Sequence, residues 1–214
     1  MNKKIAVFSS TRAEYGLLRR LILNIEESSI VTLQLIVSGT HLAENQGMTI
    51  DEISNDGIRP TESINIDLND DSPEGVCHSM GLALSRFGQK LSILKPDILV
   101  LLGDRYETLC CAAAAQIHRI PIAHIHGGER TEGLIDEAFR HSITKMAHLH
   151  FPCCEEYRQR IIQLGESPNR VFNVGSLGVE NIRKMKPLAR FSGLRSDRRR
   201  NGIPFLATVN SMNI

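Results

Sequence analysis

Two apolar runs each deliver a cluster of side chains able to move protons or hold anions. Ile98-Leu99-Val100-Leu101-Leu102 ends on Gly103, and Asp104 and Arg105 follow at once. Ile122-Ala123-His124-Ile125 runs straight into His126, Gly127, Gly128, Glu129 and Arg130. Apolar runs this short read as strands of a parallel sheet buried on both faces. Open α/β sheets bind ligands beyond the carboxyl ends of their strands, which is where these groups would stand. Carboxylates and an imidazole there suit acid–base chemistry, and guanidinium groups suit phosphate or carboxylate binding.

Each group has a plainer alternative. Asp104 could cap the helix that follows, although an acid directly after a buried strand has to find water or a partner. His124 and His126 share one face of an extended strand, where a histidine can simply be a satisfied core residue. No third ligand stands at metal spacing, so no metal site is expected. In Asp136, Glu137, Arg140 and His141, i,i+4 spacing sets Asp136 towards Arg140 and Glu137 towards His141. That pattern fits a surface salt-bridge pair or a cluster facing a bound sugar phosphate. Arg12 follows the first strand, where a guanidinium beside a helix N-terminus can meet a phosphate or merely solvent. There is no G-x-G-x-x-G after that strand and no G-K-[ST] loop.

The elements that must position these residues alternate regularly. Strands are expected over residues 4–9, 32–37, 63–66, 98–102, 122–125, 149–152 and 171–174, the last opening into Gly175 and Ser176. The first helix starts with a capping signature, Ser10-Thr11 then Glu14, and carries Leu17, Leu18, Leu21, Ile22 and Ile25 at helical spacing. Further helices are expected over 48–56, 108–118, 136–147 and 155–164, and from Gly178 to near Pro187. Pro73 opens a long one whose apolar face is Val76, Met80, Ala83, Leu84, Phe87, Leu91 and Leu94. The alternation predicts an α/β fold, a Rossmann-like doubly wound parallel sheet with right-handed crossovers.

Composition narrows the rest. The chain has 214 residues, 42% hydrophobic and 23% charged, which supports a folded core. Net charge is +1, yet residues 183–200 hold eight Lys or Arg against one Asp, so the remainder is acidic and offers no nucleic-acid surface. The basic stretch reads as a solvated linker. The five cysteines, at 77, 110, 111, 153 and 154, form neither a metal pattern nor a disulfide framework. They read as small buried hydrophobes of a reduced, cytoplasmic protein. No apolar run approaches a membrane span or a signal peptide. A domain over 1–186, a linker over 187–202 and the start of a second, truncated domain over 203–214 are expected.

Five motifs occur in order: Ser10-Thr11-Arg12-Ala13-Glu14-Tyr15-Gly16, Val37-Ser38-Gly39-Thr40-His41-Leu42, Leu102-Gly103-Asp104-Arg105-Tyr106-Glu107, His124-Ile125-His126-Gly127-Gly128-Glu129, and Asp136-Glu137-Ala138-Phe139-Arg140-His141-Ser142-Ile143-Thr144-Lys145-Met146. With Gly165-Glu166 and Val174-Gly175-Ser176, the chain resembles the hydrolysing UDP-N-acetylglucosamine 2-epimerases of sialic and legionaminic acid synthesis. The resemblance implies the N-terminal half of a glycosyltransferase-B-type two-domain fold. It also implies a UDP-sugar substrate without nicotinamide or metal cofactor, and it is compatible with a homo-oligomer.

On the same ground Asp104, His126, Glu129 and Asp136 are the acid–base candidates. Arg12, Gly103, Arg105, Arg140, His141, Gly175 and Ser176 are the substrate-binding candidates. Many relatives carry Glu where this chain has His126, which leaves open whether His126 or Glu129 takes the third acid–base role. The native sugar is open between UDP-N-acetylglucosamine and UDP-N,N′-diacetylbacillosamine, as is a fragment that only binds sugar nucleotide.

Overall fold

The computed structural model describes residues 2–43 and 49–184. In chain order the elements are β1 (Lys3–Ser9), α1 (Arg12–Glu26), β2 (Val31–Ser38), α2 (Ile50–Asn55), β3 (Glu62–Ile64), α3 (Pro73–Leu94), β4 (Ile98–Leu102), α4 (Tyr106–Ile117), β5 (Ile122–Ile125), α5 (Asp136–Met146), β6 (Leu149–Phe151), α6 (Glu155–Gln163) and α7 (Leu177–Lys184). The strands form one six-stranded sheet in the order β3-β2-β1-β4-β5-β6. Every pairing is parallel. This is the doubly wound α/β sheet that the alternation predicts.

Successive strand residues point to opposite faces, and both faces are covered. Ala6, Phe8, Ile36, Leu99 and Leu101 pack with Ala83, Phe87 and Leu91 of α3 and the alanine-rich α4. Val7, Leu35, Val37, Val100 and Leu102 pack with Tyr15, Leu18 and Ile22 of α1 on the other side. Phe8 meets Phe87 edge to face at 5.2 Å between ring centroids. Among the described residues no helix is long and apolar enough to cross a membrane.

Local signals account for the helix starts that matter. Thr11 accepts from the Glu14 amide while Glu14 reaches back to the turn, a complete capping box. Ser72 caps α3 with Pro73 in its first turn.

Four expectations need correction. Residues 171–174 do not form a seventh strand: Val171 makes an isolated bridge to His150, although the Phe172 and Val174 amides donate to the His150 and Pro152 carbonyls. Pro152 ends that edge because it has no N–H to donate, and Phe172 and Val174 stay exposed. On α3 the buried stripe runs through Gly75, Ser79, Ala83, Phe87, Leu91 and Leu94, leaving Leu84 exposed. Cys77 is likewise exposed, whereas Cys110 and Cys111 are buried and Cys153 and Cys154 partly so. Glu62, not Ser63, opens β3, which stops at Ile64. The basic linker and the expected second-domain strand lie outside the described residues, as do the start of the 48–56 helix and the end of the last one.

Candidate active site

Asp104 and Arg105 leave β4 after Gly103, whose φ of +79° turns the chain sharply at the sheet edge. Arg105, not Asp104, occupies the N-cap position of α4, and no side chain caps that helix. The capping alternative for Asp104 is therefore not realised. Its Oδ2 instead accepts from Arg140 Nη2 of α5, a partner thirty-six residues away. Arg140 is buried, with 7% of its side chain exposed, and its Nη1 donates to Thr131 Oγ1 at 2.9 Å. Burial pushes the Asp104 carboxyl up; the Arg140 charge counters this, and Asp136 and Glu129 add to the rise.

The i,i+4 reading of α5 holds for one of its two pairs. His141 Nε2 lies 3.7 Å from Glu137 Oε1, but Arg140 turns away from Asp136 to meet Asp104. Glu137 also accepts from the Thr131 amide at 3.1 Å, which ties the loop before α5 to its first turn. The carboxylate of Asp136 is thereby left without the cation its spacing suggested.

β5 contributes two histidines with different surroundings. His124 is fully buried, and its Nε2 lies 2.8 Å from the Gly103 carbonyl, which can only accept, so Nε2 carries the proton. Burial pushes His124 down to about 4, so it is neutral at pH 7 and serves to pin the β4 turn. His126 follows with φ +62°, one of three non-glycine residues with positive φ among those described. Its Nδ1 lies 3.1 Å from Glu129 Oε1, and Glu129 also accepts from Cys153 Sγ at 3.5 Å. Burial would raise the Glu129 carboxyl, but the hydrogen bonds from His126 and Cys153, with the charge of His126 and Arg140, together outweigh it and hold it low.

The Gly127-Gly128 pair makes this loop geometry feasible. A Cβ on Gly128 would stand 2.4 Å from the Tyr157 carbonyl, and one on Gly127 would stand 3.0 Å from His124 Nδ1. Three buried polar atoms in this region, His126 Nε2, Arg140 Nε and His141 Nδ1, have no partner among the described residues. Each such atom costs about 1–3 kcal/mol, so their clustering marks a place prepared for a polar ligand.

The remaining candidates stand apart from that cluster. Arg12 pairs with Glu52 at 2.6 Å and is 70% exposed at the start of α1. Arg105 turns to the fully buried Glu107, with Nη2 to Oε1 at 2.9 Å. Gly175, at φ +78°, and Ser176 lead into α7, and the Ser176 carbonyl accepts from the Glu180 amide. No hydrogen bond or ion pair among the described residues joins Gly175 or Ser176 to Asp104, His126 or Arg140. A cavity of 590 Å³ opens elsewhere on the same edge, lined by Gly39, Asn65, Asp67 and Arg86 among others, and shares no residue with the Asp104 cluster.

Sequence reasoning missed three parts of the site. Glu107 neutralises Arg105 from the core, Thr131 braces Arg140, and Cys153 contacts Glu129. Only Glu107 carried a signal, its place two residues after Arg105 in the Asp104-Arg105-Tyr106-Glu107 run.

The chain is similar to known proteins in both sequence and fold. A sequence profile of the UDP-N-acetylglucosamine 2-epimerase family matches residues 23–208. The chain is 46% identical over 179 residues to polysialic acid biosynthesis protein P7 of Escherichia coli, covering 84% of this chain and 46% of that protein. It is 45% identical over 183 residues to a GDP/UDP-N,N′-diacetylbacillosamine 2-epimerase (hydrolyzing) of Campylobacter jejuni, covering 86% of this chain and 47% of that protein. A crystal structure of a UDP-N-acetylglucosamine 2-epimerase shares the fold, with a TM-score of 0.78 at 20% identity over 88% of this chain and 53% of that one. The chain spans about half the length of these relatives, as one half of a glycosyltransferase-B-type fold does. With the profile matched over most of its length, this chain belongs to the UDP-N-acetylglucosamine 2-epimerase family.

Proposed function

We propose that this chain supplies the proton-transfer site of a hydrolysing 2-epimerase acting on UDP-N-acetylglucosamine. The observation that carries the reading is that the Asp104–Arg140 pair and the His126–Glu129 pair lie near enough for the Glu129 charge to act on Asp104, beside unpartnered buried polar atoms. Membership of the UDP-N-acetylglucosamine 2-epimerase family supports a UDP-sugar as what such a site acts on. In the reaction a base removes the proton at C2 of the sugar. The C2–H electron pair becomes a C1=C2 double bond, and the C1–O pair leaves with UDP. Water then adds, its hydroxyl to C1 and a proton to C2 from the opposite face, which gives N-acetylmannosamine. The net change is an epimerisation and a hydrolysis, with no change of oxidation state.

The side chains suit these demands. A C2 proton is weakly acidic, so its removal needs positioned bases with tuned surroundings; Asp104 and Asp136 join the β5 loop as candidates. Departing UDP concentrates charge on phosphate oxygens, which guanidinium groups stabilise best when held in place. Arg12 and Arg105 are proposed for the diphosphate, and Arg140 and His141 for the sugar. Gly103, Gly175 and Ser176 are proposed to let the backbone approach the ligand. Residues 1–186 act in this reading as the N-terminal domain, 187–202 as linker and 203–214 as the start of the second.

One observation favours a second substrate. The Campylobacter jejuni relative is named for a diacetylated bacillosamine sugar, and Leu134 and Ile135, just before Asp136, expose apolar side chains suited to a deoxy-sugar methyl. Incubation with each UDP-sugar, followed by chromatography for UDP and the free sugar, separates the readings. Release of UDP with N-acetylmannosamine supports the first, and release from the bacillosamine nucleotide alone supports the second. UDP release from neither would overturn both.

A further inference from the structure

The β5 loop holds two groups that could exchange protons, and its geometry gives them unequal tasks. Glu129 Oε1 is engaged twice, by His126 Nδ1 at 3.1 Å and by Cys153 Sγ at 3.5 Å. A carboxylate held low offers no donor, so the hydrogen on the Nδ1 contact must come from the imidazole. In neutral His126 the proton therefore sits on Nδ1, and Nε2 carries the lone pair. That Nε2 is buried and has no partner among the described residues, although 16% of the side chain reaches the surface.

The backbone enforces the same arrangement. His126 is held at φ +62°, a conformation costly for a residue with a Cβ, and its amide donates to the Phe151 carbonyl at 3.1 Å. Gly127 and Gly128 cannot take a Cβ without meeting His124, Thr144, Tyr157 or Ile161. The loop is thus fixed on both sides of the imidazole, and strain of this kind persists only where the surroundings enforce it.

Neighbouring groups are less free. Asp104 commits Oδ2 to the buried Arg140, and both nitrogens of His124 are occupied, Nε2 by the Gly103 carbonyl and Nδ1 by Thr144 Oγ1 at 3.2 Å. Of the groups on the β4 and β5 strand ends, His126 Nε2 is left as an open, buried acceptor among the described residues; on α5, His141 Nδ1 is also unpartnered.

We infer that Glu129 is a positioning residue that holds His126 as its Nδ1–H tautomer, and that His126 Nε2 takes the C2 proton. The inference rests on the epimerase reading for the identity of that proton, but not for the tautomer. In the step, the Nε2 lone pair bonds the proton and the C2–H pair forms the C1=C2 bond. The C1–O pair leaves on UDP, and the imidazolium formed is balanced by the Glu129 carboxylate. A carboxylate behind an imidazole serves in this way by fixing its tautomer and stabilising its charged form.

Long-range proton–nitrogen NMR of the uniformly ¹⁵N-labelled 214-residue chain, without substrate, tests the tautomer. The resonance is assigned by its loss in His126→Asn. The expected result is a proton on Nδ1 of His126 in the wild type and in Glu129→Gln, which retains an acceptor. In Glu129→Ala the proton should shift to Nε2. A wild-type His126 protonated on Nε2 would overturn the proposal whatever the enzyme's substrate.

Kinetics in D2O with UDP-N-acetylglucosamine test the proton's path. His126→Asn should lower C2 deuterium incorporation at least 10²-fold. Glu129→Gln should lower kcat about tenfold with KM unchanged. Full incorporation in His126→Asn would overturn the assignment of the base. A wild type with the expected tautomer but no deuterium uptake from either nucleotide would instead count against the epimerase reading, and with it the C2 step.

Discussion

The turn after β1 and the loop after β5 leave the same edge of one sheet, and they are built in opposite ways. In the first, Glu14 accepts from the Ser10 amide at 2.6 Å, the Ser10 hydroxyl at 2.9 Å and the Thr11 amide at 3.2 Å, and Thr11 caps the helix in return. Ser9, His41 and Thr49 continue the pattern, with both His41 nitrogens 2.8 Å from a hydroxyl. In the second, a histidine sits in the left-handed region with one nitrogen unpartnered, beside an arginine whose Nε is also unmet. Satisfied polar groups fix a turn, whereas unmet ones cost stability and persist where a ligand can complete them. The contrast fits a scaffolding part for the hydrogen-bonded β1 turn, with only the exposed Arg12 proposed to meet ligand, and the proposed chemistry at the β4–β5 rim.

The largest effect should come from Asp104. Asp104→Asn is expected to cut turnover of the nucleotide sugar ~10²-fold in a steady-state assay, the scale of an acid–base or ion-pair contribution. Asp104→Ala strands the buried Arg140 charge and should cost about 3 kcal/mol in urea unfolding. Retained turnover in Asp104→Asn would remove Asp104 from the mechanism. Stability unchanged in Asp104→Ala would break the ion-pair account.

Two glycines sharpen the comparison next. Gly128 has φ +77°, and a Cβ there would stand 2.4 Å from backbone, so Gly128→Ala should lose about 3 kcal/mol through strain and overpacking. Gly16, inside α1, would have nothing within 4 Å of an added Cβ. Gly16→Ala should gain about 0.5–1 kcal/mol, because alanine suits a helix interior. Equal effects at both sites, read from urea midpoints, would contradict the difference drawn between the two regions.

The β1 turn should also respond to pH. Burial pushes Glu14 up to about 7 from an ordinary 4.5, against the pull of the Ser10 hydrogen bonds. The folded chain then holds that proton more tightly than the unfolded one. The stability it contributes is full below the unfolded value and declines as pH rises towards 7. Burial pushes His41 and His124 down to about 4, and they act in the opposite sense, favouring the fold as pH rises from about 4 to 6.5. The wild-type-minus-Glu14→Gln difference in unfolding free energy isolates Glu14. It should decline between about pH 5 and about pH 8, and a flat difference would refute the shift.

The smallest effect on stability is expected at Arg12, whose pair with Glu52 is exposed. Arg12→Ala should change unfolding free energy by under about 1 kcal/mol, since such pairs contribute little. Calorimetry should nevertheless show weaker binding of UDP to the variant. Unaltered affinity would withdraw Arg12 from the proposed phosphate contacts.

Much of this organisation was legible in the residues. Continuous apolar runs such as 98–102 mark buried parallel strands, and Thr11 with Glu14 or Ser72 with Pro73 mark helix starts, because the forces involved are local. The residues after Leu102 and Ile125 could be placed at one rim for the same reason. What escaped was tertiary. Arg140 had a local partner by spacing in Asp136, yet it reaches Asp104 from another strand end. Glu107 stood just before the helix expected over 108–118, and nothing local showed that its side chain is fully buried against Arg105. The apolar character of Val171 to Val174 suggested a strand, and only the short β6 edge, where Pro152 cannot donate the return bond, shows why the pairing stops at one bridge. The positive φ of His126 has no sequence signature beyond the two glycines that follow.

Proton NMR of the reaction in D2O tests the central claim most directly, with the wild type and Asp104→Asn compared on UDP-N-acetylglucosamine. The account predicts free N-acetylmannosamine carrying deuterium at C2 from the wild type, with its formation largely lost in the variant. Product that keeps its original hydrogen at C2, or equal formation by both chains, would contradict it.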